Sequence, residues 1–186
     1  MRLLLARNLL LALGLVALAC GRFDDGSAST PRVGEAARMT DSDFWHLVSL
    51  LDWDKTGDDE AVVAPLVGAL AMRSVDDIQA FEDVLAEKLF ALDAERFARN
   101  IGAGAYVDES TFFSVDNFLY SRCVVVANGA SYFDSVLKDP RVMPRDLEFE
   151  PILYVAAKAY RKKTGEDFTY VSKVDYETFS NEAGWR

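Results

Sequence analysis

Asp52, Asp54, Thr56, Asp58 and Glu60 alternate along a short acidic stretch that contains Gly57. Oxygen donors at positions one, three, five and nine, with glycine at six, match the start of a twelve-residue Ca²⁺-binding loop. The match stops there. Position twelve is Val63 where a bidentate glutamate belongs, and position eight is Asp59 where an apolar residue belongs. Affinity for Ca²⁺ should therefore be poor, and no metal is assigned. The same residues also read as a polar turn between two helices, with Asp58 capping the second.

Other chemistry is scarce. His46 is the only histidine, and one imidazole with at most one spare thiol cannot fill a tetrahedral zinc site or a histidine-based triad. Gly102-Ala103-Gly104 is half of a dinucleotide fingerprint, but no strand precedes it. Hydrolysis by paired acids needs two carboxylates in one cleft. Asp108, Glu109 and Asp116 are available, but nothing in their spacing singles them out. No catalytic residue and no cofactor is assigned.

Charge narrows the range of partners. The chain carries a net charge of −10 over 186 residues, with 51% apolar and 12% aromatic residues. That is too apolar for a disordered chain and enough to bury an ordinary core. A body this acidic repels phosphate backbones, so no nucleic acid partner is expected, and basic proteins or cations are favoured.

The first residues read as a targeting segment. Arg2 and Arg7 form a basic start, and 8–19 (NLLLALGLVALA) is an uncharged apolar run too short to span a bilayer. It ends in Ala17-Leu18-Ala19-Cys20, which resembles the lipobox of bacterial lipoproteins. That resemblance implies cleavage before Cys20 and lipidation of its thiol, with palmitate among the acyl chains. Two or more chains, at about 0.8 kcal/mol per buried CH₂, would anchor the protein stably to a membrane. Residues 1–19 are then a signal peptide and 20–39, rich in Gly, Ser, Ala and Pro, a flexible tether. The expected location is the cell envelope. With Gly21 rather than Asp after the cysteine, the outer membrane is expected if the cell has two, on its periplasmic or surface face. Removal of Arg2 and Arg7 leaves 18 basic against 30 acidic residues, a net −12. Cys123 then has no disulfide partner and, within Cys123-Val124-Val125-Val126, behaves as a small hydrophobe.

Residues 40–186 must position whatever chemistry there is. Thr40 with Asp43, and Ser74 with Asp77, are capping patterns ahead of helical stripes: Phe44, Leu47, Val48, Leu51, and then Ile78, Phe81, Leu85, Leu89, Leu92. A helix beginning near Asp58 contains Pro65. Shorter helices are expected at about 94–101, around Tyr132 to Leu137 and from Pro151 to the lysines before Gly165. Residues 114–128 read as a central buried helix, with a strand as the competing assignment because Val124 to Val126 are β-branched. The alternating aromatics Phe168, Tyr170, Tyr176 and Phe179 suit either a short hairpin or an irregular tail. The expectation is a mainly α, single-domain fold of about six helices, with room for a short β element near the C-terminus.

Several of these pieces occur in an order met elsewhere. Ser114-Val115-Asp116-Asn117-Phe118-Leu119-Tyr120-Ser121-Arg122, followed by Gly129, Phe133, Leu137 and Asp139-Pro140, resembles the central motif of the bacterial domain-of-unknown-function 4240 family. Phe44-Trp45 and the Ser74 to Phe81 segment resemble two further family pieces, so the likeness covers about 40–165. The chain departs from the family at Val115, which replaces the first acid of a pair, and at Val124, which replaces a Trp. The resemblance implies a compact helical fold and supplies no activity. Its polar residues, Asp116 and Arg122 with Tyr120 beside them, are the candidate binding residues. Arg122 would anchor an anion or a partner and Asp116 would serve as an acid or base. In the other reading they are ion pairs or caps that fix the central helix.

These observations favour a non-enzymatic, membrane-anchored interaction module that takes a basic protein partner, as immunity-type proteins do. The alternative is an enzyme or small-ligand binder using Asp116 and Arg122.

Overall fold

A computed structural model describes residues 39–186, so the expected signal peptide, Cys20 and nearly all of the tether lie outside the described residues. Local sequence rules start most of the helices. Helix α1 (Asp41–Val48) opens on Thr40, whose hydroxyl accepts from the Asp43 amide at 3.1 Å. Helix α3 (Val75–Ala91) opens on Ser74 with the same reciprocal box to Asp77. Between them, α2 (Asp59–Ala71) is capped by Asp58, which accepts from the Ala61 amide, and it continues through Pro65. Each such cap satisfies an orphan N–H and stabilises by about 1 kcal/mol.

Helix α4 (Glu95–Ala98) is a single turn, and α5 (Val115–Ala127) runs through the middle of the domain. Its residues from Ser121 to Ala127 are all buried, so the valines meet side chains on every face. Packing all round lets a β-branched run remain helical, and the competing strand does not form. Helices α6 (Ala130–Lys138) and α7 (Val155–Thr164) complete the set. A 3₁₀ turn, Glu150–Tyr154, leads into α7, and Gly165 closes α7 in the left-handed conformation, φ 81°. Helix α7 packs on α2 and α3, and α5 packs on α3 and α6. Aromatic pairs bind the layers: Phe44 to Phe81 at 5.1 Å and Trp45 to Phe133 at 5.4 Å. The architecture is mainly α in a single domain, with seven α-helices among the described residues.

The C-terminal β element does not form. After α7 the chain runs without a strand to a last 3₁₀ turn, Glu182–Trp185. The cause lies in where its polar groups go. Three buried charged side chains of the helical body engage them. Asp83 accepts from the Tyr170 hydroxyl at 2.9 Å and the Lys173 amide at 3.1 Å. Asp93 accepts from the amides of Phe179 and Asn181 at 3.2 and 2.9 Å. Arg122 donates to the Tyr176 carbonyl at 2.9 Å and the Thr178 hydroxyl at 3.0 Å. Side chains here satisfy backbone groups that a neighbouring strand would otherwise have to meet.

Candidate functional site

The loop between α4 and α5 meets the end of the tail, and the two together frame an open cavity of about 340 Å³. Several bonds shape the loop. Gly102 sits at φ 101°, and a Cβ there would lie 2.3 Å from an oxygen of Asp146. That carboxylate accepts the Ala103 amide at 2.7 Å, while the Asp146 amide returns a bond to the Ile101 carbonyl. Gly102 therefore lies against a carboxylate of the chain itself, which takes the Ala103 amide that a phosphate would need, while Gly104 lies against Asn117. Further along, the Tyr106 amide donates to the Ala98 carbonyl at 3.0 Å. One oxygen of Asp108 accepts from the Ser110 amide, the Ser110 hydroxyl and the Thr111 hydroxyl, fixing an Asx turn.

From the tail come Phe179 and Trp185. Phe179 holds φ 77°, unusual for a bulky residue, and its amide is tied to Asp93. The Trp185 indole N–H donates to Asp93 at 2.9 Å. Gly184 lies so close to the α3–α4 junction that a Cβ would fall 2.6 Å from the Asp93 carbonyl oxygen. With these anchors in place, four rings build one wall. Phe179 meets Trp185 at 4.4 Å, Tyr106 meets Trp185 at 5.3 Å, and Phe113 meets Tyr106 at 5.4 Å. Asp108, Glu109 and Thr111 supply the polar lining. Asp108 is held below the ordinary carboxylate range, chiefly by its hydrogen bond from the Ser110 side chain. The Tyr106 hydroxyl is pushed up by desolvation and next by the charge of Glu109. The cavity lining thus combines aromatic rings with two carboxylates.

The candidates named from the motif lie elsewhere. Asp116 is exposed in the first turn of α5, where an acid suits the positive end of the helix dipole. Arg122, four residues beyond Phe118, is fully buried. Besides its two bonds to the tail, it donates to the Leu89 carbonyl at 3.0 Å, and its guanidinium lies 4.8 Å from the Phe118 ring. Burial lowers its pKa and the charge of Asp93 opposes the shift. Tyr120 is half-buried, its hydroxyl pushed up by desolvation and then by Glu150. The three do not converge on a common opening.

The acidic stretch of 52–60 becomes two caps and a connecting turn. Asp52 accepts from the Asp54 amide at 3.2 Å, Asp58 caps α2, and Glu60 pairs with Lys158. No group of three or more His, Cys, Asp or Glu suited to a metal ion occurs among the described residues. His46 is exposed near the end of α1. Cys123 is buried and free, its thiol pushed far up by desolvation.

The sequence pointed to Asp108 and Glu109 only as two acids among many. The structure brings these two to the same cavity and leaves Asp116 outside its lining. Of the four rings only Phe179 stood out in the sequence, as one of the tail's aromatics and not as a site residue. They come from segments without helical periodicity, and the one available signal was the density of aromatics at 106–113 and 168–185.

A family model described as a protein of unknown function, DUF4240, matches residues 39–162. No curated protein and no solved structure matches. The matched stretch contains Tyr106, Asp108, Glu109 and Phe113, while Phe179 and Trp185 lie beyond it.

Proposed function

The chain belongs to the DUF4240 family, and on that premise we propose that it is a non-enzymatic interaction module for a basic protein partner, held at a membrane of the cell envelope by lipid on Cys20. The family description assigns no activity, so the reading rests on this chain's own surface. The observation that carries it is the 107–112 segment of the loop, which supplies part of the cavity lining. Phe112 is 91% exposed and Val107 54%, beside the exposed carboxylates of Asp108 and Glu109. Apolar groups left in water beside unscreened negative charge suit a protein surface that offers both apolar contact and positive charge. The net charge of −10 adds long-range attraction for such a partner. The lipobox-like Ala17-Leu18-Ala19-Cys20 supports the anchor.

The rival reading, an enzyme or ligand binder using Asp116 and Arg122, draws no support from the geometry. Arg122 is committed to the tail and faces no solvent.

The test is capture by the immobilised full chain, in detergent, from the envelope and secreted proteins of its own cell. A basic protein retained in fixed stoichiometry, released by salt and lost with Phe112→Ser, is the expected result. Phe112 is almost wholly exposed, so that substitution should leave folding intact. Retention of nothing, or retention indifferent to both salt and Phe112→Ser, would overturn the proposal.

A further inference from the structure

The aromatic wall already holds one cation. The guanidinium of Arg99 lies 5.3 Å from the centre of the Tyr106 ring and pairs with Glu95 at 2.6 Å. A planar cation on a ring face with a carboxylate at its edge is a favoured pairing for arginine. The cavity side of the wall repeats half of that arrangement. Its lining brings the Trp185 and Phe179 rings together with Asp108 and Glu109. Among the described residues neither carboxylate takes part in a salt bridge, and Arg186, next to Trp185, is paired with Glu182 instead.

We infer that the cavity is the seat for an arginine side chain of the basic partner, its guanidinium set against the Trp185 and Phe179 rings and its N–H groups donating to Asp108 and Glu109. The inference rests on the proposal of a basic protein partner and names the group that enters. Arginine is preferred to lysine because a flat, weakly hydrated guanidinium can stack and bridge two carboxylates at once, whereas an ammonium offers a compact point charge. A protein is preferred to a free amine as the source because Phe112 and Val107, on the same loop as the lining residues, are exposed and outside the lining, where a side-chain-sized ligand in the cavity would not bury them. The site is preorganised. Asp108 is fixed by its Asx turn, and Phe179 and Trp185 are both tied to Asp93, so little ordering remains to be done on binding.

The full chain is titrated with N-acetyl-arginine amide, N-acetyl-lysine amide and the uncharged N-acetyl-citrulline amide, with the indole N–H resonance of Trp185 as the reporter. Saturable shifts with the arginine derivative, weaker binding of the lysine one and none with citrulline are expected. The pair Asp108→Asn with Glu109→Gln should weaken binding by at least about tenfold, as charge-assisted bonds are lost. The amide introduced by Asp108→Asn keeps an oxygen able to accept from Ser110, so the turn should survive. Equal binding of citrulline or lysine, or an unchanged affinity in the double variant, would overturn the inference. A captured partner that binds the double variant normally would remove this seat but leave the interaction reading standing. An arginine derivative that binds although no partner is ever captured would instead overturn the protein source and, with it, the interaction reading.

Discussion

Trp185 donates its indole N–H to Asp93 at 2.9 Å, and the same carboxylate takes the backbone amides of Phe179 and Asn181. One buried acid just beyond α3 thus sets both aromatic residues that the tail contributes to the cavity. Asp93→Ala should remove three bonds from part-buried donors to a charged acceptor, each worth about 1.5–3 kcal/mol. Thermal unfolding should show a loss of several kcal/mol, and Trp185 fluorescence should shift toward that of solvated indole. An unchanged spectrum would mean that the tail is held by something else.

Arg122 performs the matching task from α5. Arg122→Met removes bonds to the Leu89 and Tyr176 carbonyls and to the Thr178 hydroxyl. Denaturant titration should record destabilisation of about 3 kcal/mol or more, the range for breaking a buried charged network. Stability close to wild type combined with lost partner binding would restore Arg122 as a binding residue.

Glu82 makes stability depend on pH. Burial, reinforced by the neighbouring charge of Asp83, raises its carboxyl from 4.5 to about 7. Below about pH 4.5 it is protonated whether folded or unfolded, and its contribution is fully present. Between 4.5 and 7 the unfolded chain ionises first, so stability falls as pH rises, by up to about 3 kcal/mol, and levels off above 7. Asp83 acts in a different window. Burial would raise it, but bonds from Lys173 and Tyr170 outweigh this and hold it below 3.8, so its contribution is lost only as pH falls into the acid range. Glu82→Gln should flatten the fall between about pH 5 and pH 7 in a series of melting curves. A slope unaltered by that substitution would contradict this account.

Lipid attachment is open to a direct check. Cys20→Ser should move the protein from the membrane fraction to the soluble fraction and abolish incorporation of labelled palmitate. Continued membrane association with no label in either form would rule out the anchor.

How much could be read ahead depended on how local the cause was. The boxes at Thr40–Asp43 and Ser74–Asp77 act across three residues, so α1 and α3 were placed within a residue or two of their starts. Val124 to Val126 were ambiguous because propensity and burial disagree there, and burial on all faces of α5 decided for helix. Arg122 stood out by its place in a motif, yet its partners Tyr176 and Thr178 lie more than fifty residues further on. The cavity was hidden for the same reason. No periodicity links Tyr106 to Trp185, and what holds Trp185 in place beside Tyr106 is a carboxylate at Asp93 that reads in isolation as an ordinary helix-end acid.

The distance along the chain between Tyr106 and Trp185 also sets an order of events during synthesis. Every helix from α1 to α7 leaves the ribosome before Phe179 and Trp185 do. Until the tail follows, Asp93 and Arg122 lack the partners that let them stay buried, so the helical body is completed only by the last part of the chain. Clipping by a protease between Gly165 and Phe179 would cut the covalent link between the helices and the two rings that the tail brings to the cavity.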